Sequence, residues 1–336
     1  MRRLANTLIV NHTPVCCAGK LEFLVTGDPI LTLTVNPAID RIFTVDRLVF
    51  EDRAYILSAT EAAGGRGVNA ARVLTGFGAK AIAILPSGGE AGKTLEAKLR
   101  LDGFETVIVP VDSNVRTNLT ITDRQGLSVK LNERGPALSK KDIDALAKAV
   151  EKHLPSAGWL LLCGSLPPGV DSRFYALLIE SATHHGVQTL LDTDGDALLY
   201  GIEAGPTLVS PNQSEAERLL NRALITRSHS IEAARHILAM GAQSVVLSLG
   251  SRGAIAASAA GTIEVIPPRV DALCPIGAGD ALAAAVTWAL AQGKPFAEAV
   301  RWGIATGTAT AKLAGITLAN FAQAEEVFAE TQVNAV

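Results

Sequence analysis

The sequence predicts an α/β protein with a mainly parallel central sheet. From Ile30 onward, short apolar runs alternate with helix-like segments, which is typical of βαβ units. Residues 159–162 and 245–247 are apolar throughout, as expected for central strands that are buried on both faces. Ligands of such sheets bind beyond the carboxyl ends of the strands, so we expect the functional residues in the loops that follow the strands.

The individual elements follow from this alternation. Seven apolar runs have the length of a strand: 30–35, 80–85, 106–110, 158–162, 187–191, 207–209 and 244–248. Six segments between them have helical character: 68–76, 94–101, 140–153, 173–184, 214–220 and 231–240. Two more helices, rich in small residues, are predicted at 280–292 and 295–312. We therefore predict one large α/β domain over residues 28–336.

Two segments interrupt the rhythm and predict a small second sheet. Residues 41–60 and 118–131 alternate apolar and polar side chains with a period of two. That period is typical of antiparallel strands with one exposed face. We expect a β-sheet lid beside the main sheet, with strands from about 41–60 and 112–132.

Composition limits the classes of partner. Charged residues make up 19% of the chain and the net charge is −3, which disfavours a nucleic-acid or anionic-membrane partner. The longest apolar runs fall well short of the roughly 18 residues of a membrane span. The four cysteines, Cys16, Cys17, Cys163 and Cys274, lack metal-ligand spacing. This usage fits a reducing compartment, and we expect a cytoplasmic protein.

Residues 1–27 differ from the rest of the chain. Two arginines precede a short apolar patch at 8–10, as at the start of a signal peptide. The patch is too short for that role and is broken by polar residues and a proline. We interpret residues 1–27 as a poorly ordered N-terminal extension.

A glycine-rich turn at Gly277, Ala278 and Gly279 leads through Asp280 into a helix rich in alanine and leucine. The free N–H groups of a helix start attract anions, and small residues let a phosphate approach the backbone. Asp280 is either the helix cap or a base beside a transferring phosphate, and its position alone favours the cap.

Two apparent nucleotide motifs are rejected. Residues 87–94 resemble a P-loop, but Ser87 stands where the first glycine is required. Residues 65–70 match G-x-G-x-x-A, yet the small, polar residues before them do not form a buried strand, so dinucleotide binding is disfavoured. The glycines around Gly64 and Gly65 still allow a ligand to approach closely, and Arg66 and Asn69 add donors. A plain tight turn explains this segment equally well.

Other strand ends carry residues with two interpretations each. Asp40 follows the first strand, where it could bind sugar hydroxyls or form a turn. Asn212 and Glu215 could cap a helix, or lie beside Mg²⁺ and a triphosphate through water. The loop at 248–254 joins two strand-like runs, and its glycines fit either an adenine site or a hairpin turn.

The order of these motifs is more specific than any of them alone. The sequence resembles the ribokinase-like, PfkB-type carbohydrate kinases over residues 30–330. Eight segments match in family order: 36–40, 64–69, 116–118, 164–169, 192–197, 211–215, 248–254 and 277–280. Residues 31–37 and 164–169 place the resemblance in the phosphosugar branch of 1-phosphofructokinase, tagatose-6-phosphate kinase and the minor 6-phosphofructokinase type. It implies a ribokinase-like three-layer sandwich with a small β-sheet lid.

The resemblance also implies roles at the phosphoryl group and at the sugar. Asp280 would take the proton of the attacking hydroxyl, while Gly277, Ala278 and Gly279 would form the anion hole. The implied substrate-binding residues are Asp40, Arg53, Gly64, Gly65, Arg66, Asn69 and Arg116. Of these, Arg116 would bind the phosphate already on the substrate, with Arg53 as a second cation.

On the nucleotide side, the resemblance implies that Asn212 and Glu215 order Mg²⁺ and the phosphates of ATP, with Glu215 acting through water. Ser248, Gly250 and Gly253 would line the nucleotide site.

Three residues depart from the family pattern. Arg66 replaces the usual lysine. Because a guanidinium is a planar group with several donors and a lysine ammonium is a compact charge, we expect the substrate contact to differ. Ser210 stands where relatives often have lysine, which removes a cation near ATP. Cys274 lies beside the monovalent-cation loop of relatives, so activation by K⁺ is left open.

We therefore expect ATP-dependent phosphorylation of a ketohexose phosphate to the bisphosphate. Fructose 1-phosphate and fructose 6-phosphate come first as acceptors, then tagatose 6-phosphate. The lid segments carry several arginines and few aromatic residues, which favours a phosphosugar over a nucleoside. The alternatives are a kinase of an unphosphorylated sugar or nucleoside, a catalytically silent sugar-phosphate sensor, and an NAD oxidoreductase. The exposed face of the lid, together with the resemblance, predicts a homodimer.

Overall fold

The computed structural model describes residues 27–49 and 51–336, which form fourteen strands and ten α-helices. The strands are β1 (Ile30–Thr34), β2 (Ala38–Val45), β3 (Ile56–Gly64), β4 (Ala81–Ser87), β5 (Glu105–Pro110), β6 (Arg116–Asp123), β7 (Ser128–Asn132), β8 (Trp159–Cys163), β9 (Gln188–Asp192), β10 (Leu208–Val209), β11 (Ser244–Ser248), β12 (Ala254–Ser258), β13 (Gly261–Ile266) and β14 (Gln332–Ala335). The helices are α1 (Arg66–Gly76), α2 (Gly89–Leu99), α3 (Lys140–His153), α4 (Phe174–His184), α5 (Gly195–Glu203), α6 (Gln213–Leu220), α7 (Arg227–Ala239), α8 (Ala278–Ala291), α9 (Phe296–Ala311) and α10 (Phe321–Glu330).

The main sheet has ten strands in the order β14-β13-β12-β11-β10-β9-β8-β1-β4-β5. The seven strands from β11 to β5 in this order pair in parallel. The remaining three, β12, β13 and β14, extend the sheet in antiparallel fashion. The predicted parallel α/β core is confirmed, and all seven predicted strands are present.

Helices cover both faces of this sheet. Along β8, Trp159 and Leu161 belong to one hydrophobic cluster, which includes α1, α8 and α9. The alternate residues Leu160 and Leu162 belong to a second cluster, which includes α3, α4 and α7. The strand is therefore buried on both faces, which explains its uniformly apolar sequence.

The predicted element boundaries need a few corrections. Helix α2 begins at Gly89, five residues before its predicted start, because the turn after β4 leads directly into it. Strand β10 has only two residues. No prediction covered α5, α10, β13 or β14. Strand β14 has four residues that are all exposed, so no apolar run marks it in the sequence.

The lid is a separate four-stranded sheet in the order β3-β2-β6-β7. Its outer pairs are antiparallel as predicted, but its central pair, β2 and β6, is parallel. These two strands follow β1 and β5, which end at the same edge of the main sheet, so both leave that edge in the same direction. The lid also begins earlier than predicted, and Asp40 lies within β2 instead of ending the first main-sheet strand. Pro37 precedes β2 and helps to end β1, because it has no N–H to donate.

The expectation for residues 1–27 falls outside the described residues except at Gly27. Across 27–49 and 51–336, every helix is too short or too polar to span a bilayer.

Candidate active site

The carboxyl ends of β1, β8 and β9, the lid and the start of α8 enclose a cleft of about 350 Å³, the acceptor cleft. Six of the sequence-predicted residues line it together with Gly277: Asp40, Gly65, Arg66, Asn69, Arg116 and Asp280. Gly64 adjoins it, and a Cβ there would overlap the Asp40 carboxylate. Sequence motifs separated by more than 200 residues thus meet at the predicted edge of the sheet.

Asp280 is the third residue of α8, so the prediction of Asp280 as its cap is wrong; the cap is Gly277. Asn69 Nδ2 donates a hydrogen bond to Asp280 Oδ2 at 2.7 Å. Desolvation raises the pKa of Asp280 to about 7; the nearby Asp192 carboxylate adds to this rise, and Arg66 and the Asn69 bond oppose it. A carboxyl group that titrates near neutral pH suits a general base.

The turn before Asp280 lies between two cavities. Gly277 has φ 77°, and a Cβ there would lie 2.6 Å from Leu318 Cδ2, so this position requires glycine. Gly279 faces open space, and its N–H belongs to the first turn of α8, where backbone donors lack intrahelical acceptors. The N–H of Ala278 instead donates within the turn to Pro275 O at 3.3 Å. The N-terminus of α8 is therefore suited to a phosphoryl group chiefly on the Gly279 side.

Arg66, at the start of α1, is held by carboxylates. Its Nη1 lies 2.7 Å from Asp192 Oδ1 and its Nη2 lies 2.9 Å from Glu215 Oε1. Asp194 Oδ2 is 3.7 Å from the same Nη2. These charges raise the pKa of Arg66 beyond its already high value, with Asp192 as the largest cause. Arg66 lines the acceptor cleft and also binds Glu215 at the start of α6, so it connects the two regions.

Asn212 and Glu215 form a capping box at the start of α6. Asn212 Oδ1 accepts from the Glu215 N–H, and Glu215 Oε2 accepts from the Asn212 N–H, both at 2.9 Å. The capping interpretation is confirmed, and it does not preclude a site role because Oε1 still points to Arg66. Burial raises the pKa of Glu215, while Arg66 opposes that rise.

These carboxylates border a small space of about 110 Å³. It is lined by Arg66, Asp192, Ser210, Asn212, Glu215, Ser248, Gly279, Asp280 and Leu282. Carboxylate and amide oxygens are the donors that Mg²⁺ accepts in proteins, usually together with water. Asp192 and Glu215 are both paired with Arg66, and no group of three carboxylates among the described residues is placed to ligate a metal directly. A Mg²⁺ in this space would therefore be held by Glu215 through water.

A second cavity of about 660 Å³ lies on the other side of the turn. Ser248, Gly250 and Gly253 all line it, as predicted for the nucleotide site. Gly253 has φ 90°, and a Cβ there would overlap the carbonyl oxygen of Val265. The other walls of this cavity are largely apolar and include Pro267, Val270, Leu282 and Ile304. Apolar walls with a phosphate-accepting helix start at one end suit a nucleotide.

The predicted phosphate-binding arginines differ in their placement. Arg116, at the start of β6, lines the acceptor cleft and donates from Nη1 to Glu133 O at 2.8 Å. Its Nε is buried and has no hydrogen-bond partner among the described residues. Arg53 is exposed in the connection between β2 and β3 and does not line the cleft. A binding role for Arg53 stays a prediction.

Sequence reasoning assigned no role to several residues of the site. Asp192 ends the central strand β9 and Asp194 follows it, and that position was the available signal for both. Asn118 Nδ2 donates to Asp40 Oδ1 at 2.8 Å, across the parallel lid strands. Lys130 and Asn132 reach the acceptor cleft from β7.

Comparison with known proteins identifies the family to which this α/β fold with its two neighbouring cavities belongs. The model for pfkB family carbohydrate kinases matches residues 33–320. The chain belongs to this family and is a kinase that transfers a phosphoryl group to a hydroxyl group of a carbohydrate.

The similar proteins include members of the predicted phosphosugar branch. The ATP-dependent 6-phosphofructokinase isozyme 2 of Escherichia coli (strain K12) is 32% identical over 266 residues, which cover 78% of this chain and 86% of that protein. The crystal structure of E. coli phosphofructokinase-2 in complex with potassium has a TM-score of 0.84 at 31% identity, and covers 90% of this chain and 98% of that one. A possible 1-phosphofructokinase of Thermotoga maritima has a TM-score of 0.84 at 23% identity, covers 92% and 99% of the two chains, and shows the fold alone.

Proposed function

We propose that this kinase uses ATP and Mg²⁺ to phosphorylate a ketohexose phosphate to the bisphosphate. Fructose 6-phosphate and fructose 1-phosphate are the first acceptors, followed by tagatose 6-phosphate. The observation that carries the proposal is that Asp280 lines the same cleft as two cations, Arg116 and Lys130. A base for the hydroxyl and cations for an existing phosphate are what a phosphosugar kinase requires.

The proposed reaction is an in-line phosphoryl transfer. Asp280 accepts the proton of the sugar hydroxyl as its oxygen bonds to the γ-phosphorus, and the bond between that phosphorus and the departing ADP oxygen breaks. The N–H groups at the start of α8 stabilise the charge on the transferring group. Glu215 would hold Mg²⁺ through water, where the ion neutralises phosphate charge.

The names of similar proteins support this choice of acceptor. The E. coli relative, at 32% identity, is an ATP-dependent 6-phosphofructokinase. Potassium is bound in the structure of the E. coli enzyme, so we extend the proposal to activation by K⁺ near Cys274.

We also propose that two copies pair through the lid. Its outer strands and their connections expose five large apolar side chains, at 46–65% of their surface: Tyr55, Ile56, Leu57, Leu127 and Leu131. These side chains lie along the two edges of the lid sheet, and exposed apolar surface is typical of surfaces that bind another protein.

The test is an ADP-release assay over a panel of acceptors. The panel contains fructose 1-phosphate, fructose 6-phosphate and tagatose 6-phosphate, with fructose, ribose and adenosine as unphosphorylated controls. We expect turnover with a phosphorylated ketohexose only, and faster in KCl than in NaCl. Preference for an unphosphorylated acceptor would establish the alternative kinase, and sugar-phosphate binding without ADP release would establish the silent sensor. Titration with NADH tests the oxidoreductase.

A further inference from the structure

A chain of hydrogen bonds connects the candidate base to an ion pair outside the cleft. Asn69 Nδ2 donates to Asp280 Oδ2 at 2.7 Å. At the other end of the same amide, Asn69 Oδ1 accepts from Arg72 Nη1 at 2.9 Å. Asn69 and Arg72 lie one turn apart on α1. Both ends of the amide are therefore occupied, one by the base and the other by a cation.

Arg72 itself is held on two sides. Its Nε and Nη2 bind the two oxygens of Asp102, which follows α2, at 3.0 and 2.7 Å. Its Nη2 also donates to Ala63 O, near the end of β3, at 3.0 Å. The side chains of Arg72 and Asp102 expose only 23% and 19% of their surface. A planar guanidinium bound at both edges has little freedom to rotate.

We propose that Arg72, anchored by Asp102, is a positioning residue that orients the Asn69 amide so that its N–H₂ group faces Asp280. Arg72 only donates hydrogen bonds, so the amide oxygen must face it and the amide nitrogen must face the carboxylate. In the reversed orientation, the amide oxygen would face Asp280 and could bind only its protonated form. A protonated Asp280 cannot accept the hydroxyl proton. The inference rests on the proposed role of Asp280 as the base.

The hydrogen bond from Asn69 to Asp280 is one of several influences on the pKa of Asp280. The groups that influence it come from four elements or their ends: Asp40 on β2, Arg66 and Asn69 on α1, Cys163 on β8 and Asp192 on β9. The two aspartates raise the pKa of Asp280, as does desolvation, whereas Arg66 and the Asn69 bond lower it. Loss of the Asn69 bond would therefore raise the pKa of Asp280 above about 7 and shrink the fraction of active base at neutral pH.

Arg72→Met tests the proposal, because it keeps the aliphatic length and removes every donor. We expect the acid limb of kcat/KM to move to higher pH by about one unit, the size expected for one hydrogen bond to a charged group. Turnover at pH 7 should fall about fivefold, because the ionised fraction of a base whose pKa moves from about 7 to about 8 falls by that factor, and it should recover at higher pH. KM for ATP should stay within about twofold. Asp102→Asn should act in the same direction with a smaller shift. Arg72→Lys should restore part of the loss, since one ammonium can still donate to Asn69.

Two controls separate positioning from a structural role. Arg227→Met removes a bidentate pair with Glu264 on the surface, and it should leave the acid limb in place. In an Asn69→Ala background, Arg72→Met should add no further shift, because its effect runs through the amide. An additive shift in the double variant would overturn the proposal.

A readout independent of catalysis separates this inference from the proposed function. The pKa of the Asp280 carboxyl can be followed by ¹³C NMR, with its signal assigned by comparison with Asp280→Asn. If the wild-type protein phosphorylates no sugar, the proposed function fails but this titration still applies. A higher pKa of Asp280 in Arg72→Met supports the positioning role, and an unchanged pKa refutes it whatever the activity.

Discussion

Arg66 Nη2 binds Glu215 Oε1 at 2.9 Å, and this contact joins the glycine-rich start of α1 to the capping box of α6. The same guanidinium binds Asp192 through Nη1 at 2.7 Å. Glu215 is 3% exposed and Asp192 is 7% exposed, so Arg66 neutralises two buried carboxylates at once. Because a lysine ammonium is compact, it would not span both carboxylates with the same geometry.

Replacement of Arg66 should therefore change both stability and activity. Arg66→Met leaves two buried carboxylates without their cation, which we expect to cost about 3 kcal/mol, the lower end for a broken buried pair. The pKa of Asp280 should also rise, because Arg66 lowers it. Denaturant unfolding and a pH series of kcat/KM measure the two effects. Arg66→Lys should retain most of the pH profile, although one ammonium cannot bind both carboxylates as the guanidinium does. Identical pH profiles for Arg66→Met and the wild type would contradict this account.

Asp280→Asn should retain the fold and nucleotide binding while turnover falls by roughly 10²–10⁴-fold, the usual contribution of a general base. Calorimetric titration with ADP checks that binding persists. In the wild type, kcat/KM should rise through about pH 7, because only the ionised carboxylate can accept the proton. Turnover close to wild type in Asp280→Asn would refute its role as base.

The same substitution should stabilise the protein at alkaline pH. The folded pKa of Asp280 is raised from 3.8 to about 7, so the folded state keeps a proton that the unfolded chain releases at lower pH. Its contribution to stability is fully present below about pH 4 and is lost as the pH rises through about 7. Asp280→Asn avoids that loss, and we expect its Tm to exceed that of the wild type above pH 7. A lower Tm there would show that the carboxylate is stabilised in the fold.

Arg116→Ala should raise KM for a phosphorylated sugar by about 10–100-fold, the loss expected for one charge-assisted contact. kcat should change less, because the phosphate already on the sugar does not react. Arg124→Ala removes an exposed lid arginine that does not line the cleft and serves as the matched control. If KM for an unphosphorylated sugar rises equally, Arg116 does not recognise phosphate.

The elements of the core could be predicted because burial dictates their sequence. Strand β8 is apolar at every position since both of its faces are covered, and the helix after Gly279 is rich in good helix formers. The parallel pairing of β2 with β6 could not be predicted. A period of two identifies the exposed face of a strand but says nothing about the direction of its neighbour.

The sequence predicted which residues belong to the site better than it predicted the contacts between them. Motif order brought Asp40, Asn69 and Asp280 to one cleft, as found. The ion pairs of Arg66 join residues 126 and 149 positions away, and no local pattern encodes them. Asn212 showed that two interpretations can both apply, because a cap satisfies the backbone while its partner Glu215 keeps one oxygen for the site.

The last prediction concerns the exposed apolar side chains of the lid. Strands β3 and β7 are the edges of the lid sheet, and each exposes apolar side chains, such as Leu57 at 46% and Leu131 at 52%. Burial of such side chains against a second copy would be favourable by about 25 cal/mol per Å² of apolar surface. We expect the 35.0 kDa chain to sediment as a dimer. Leu57→Asp and Leu131→Asp should shift it toward monomer by placing charges in that interface.

Leu177→Asp provides the control for that experiment, since Leu177 is 60% exposed on α4, outside the lid. It carries the same change in charge and should leave the mass unchanged. A monomeric wild-type protein would refute the pairing of lids. A dimer that survives both lid substitutions would place its interface elsewhere, because two aspartates per copy in a buried apolar contact cost several times the energy that one leucine contributes.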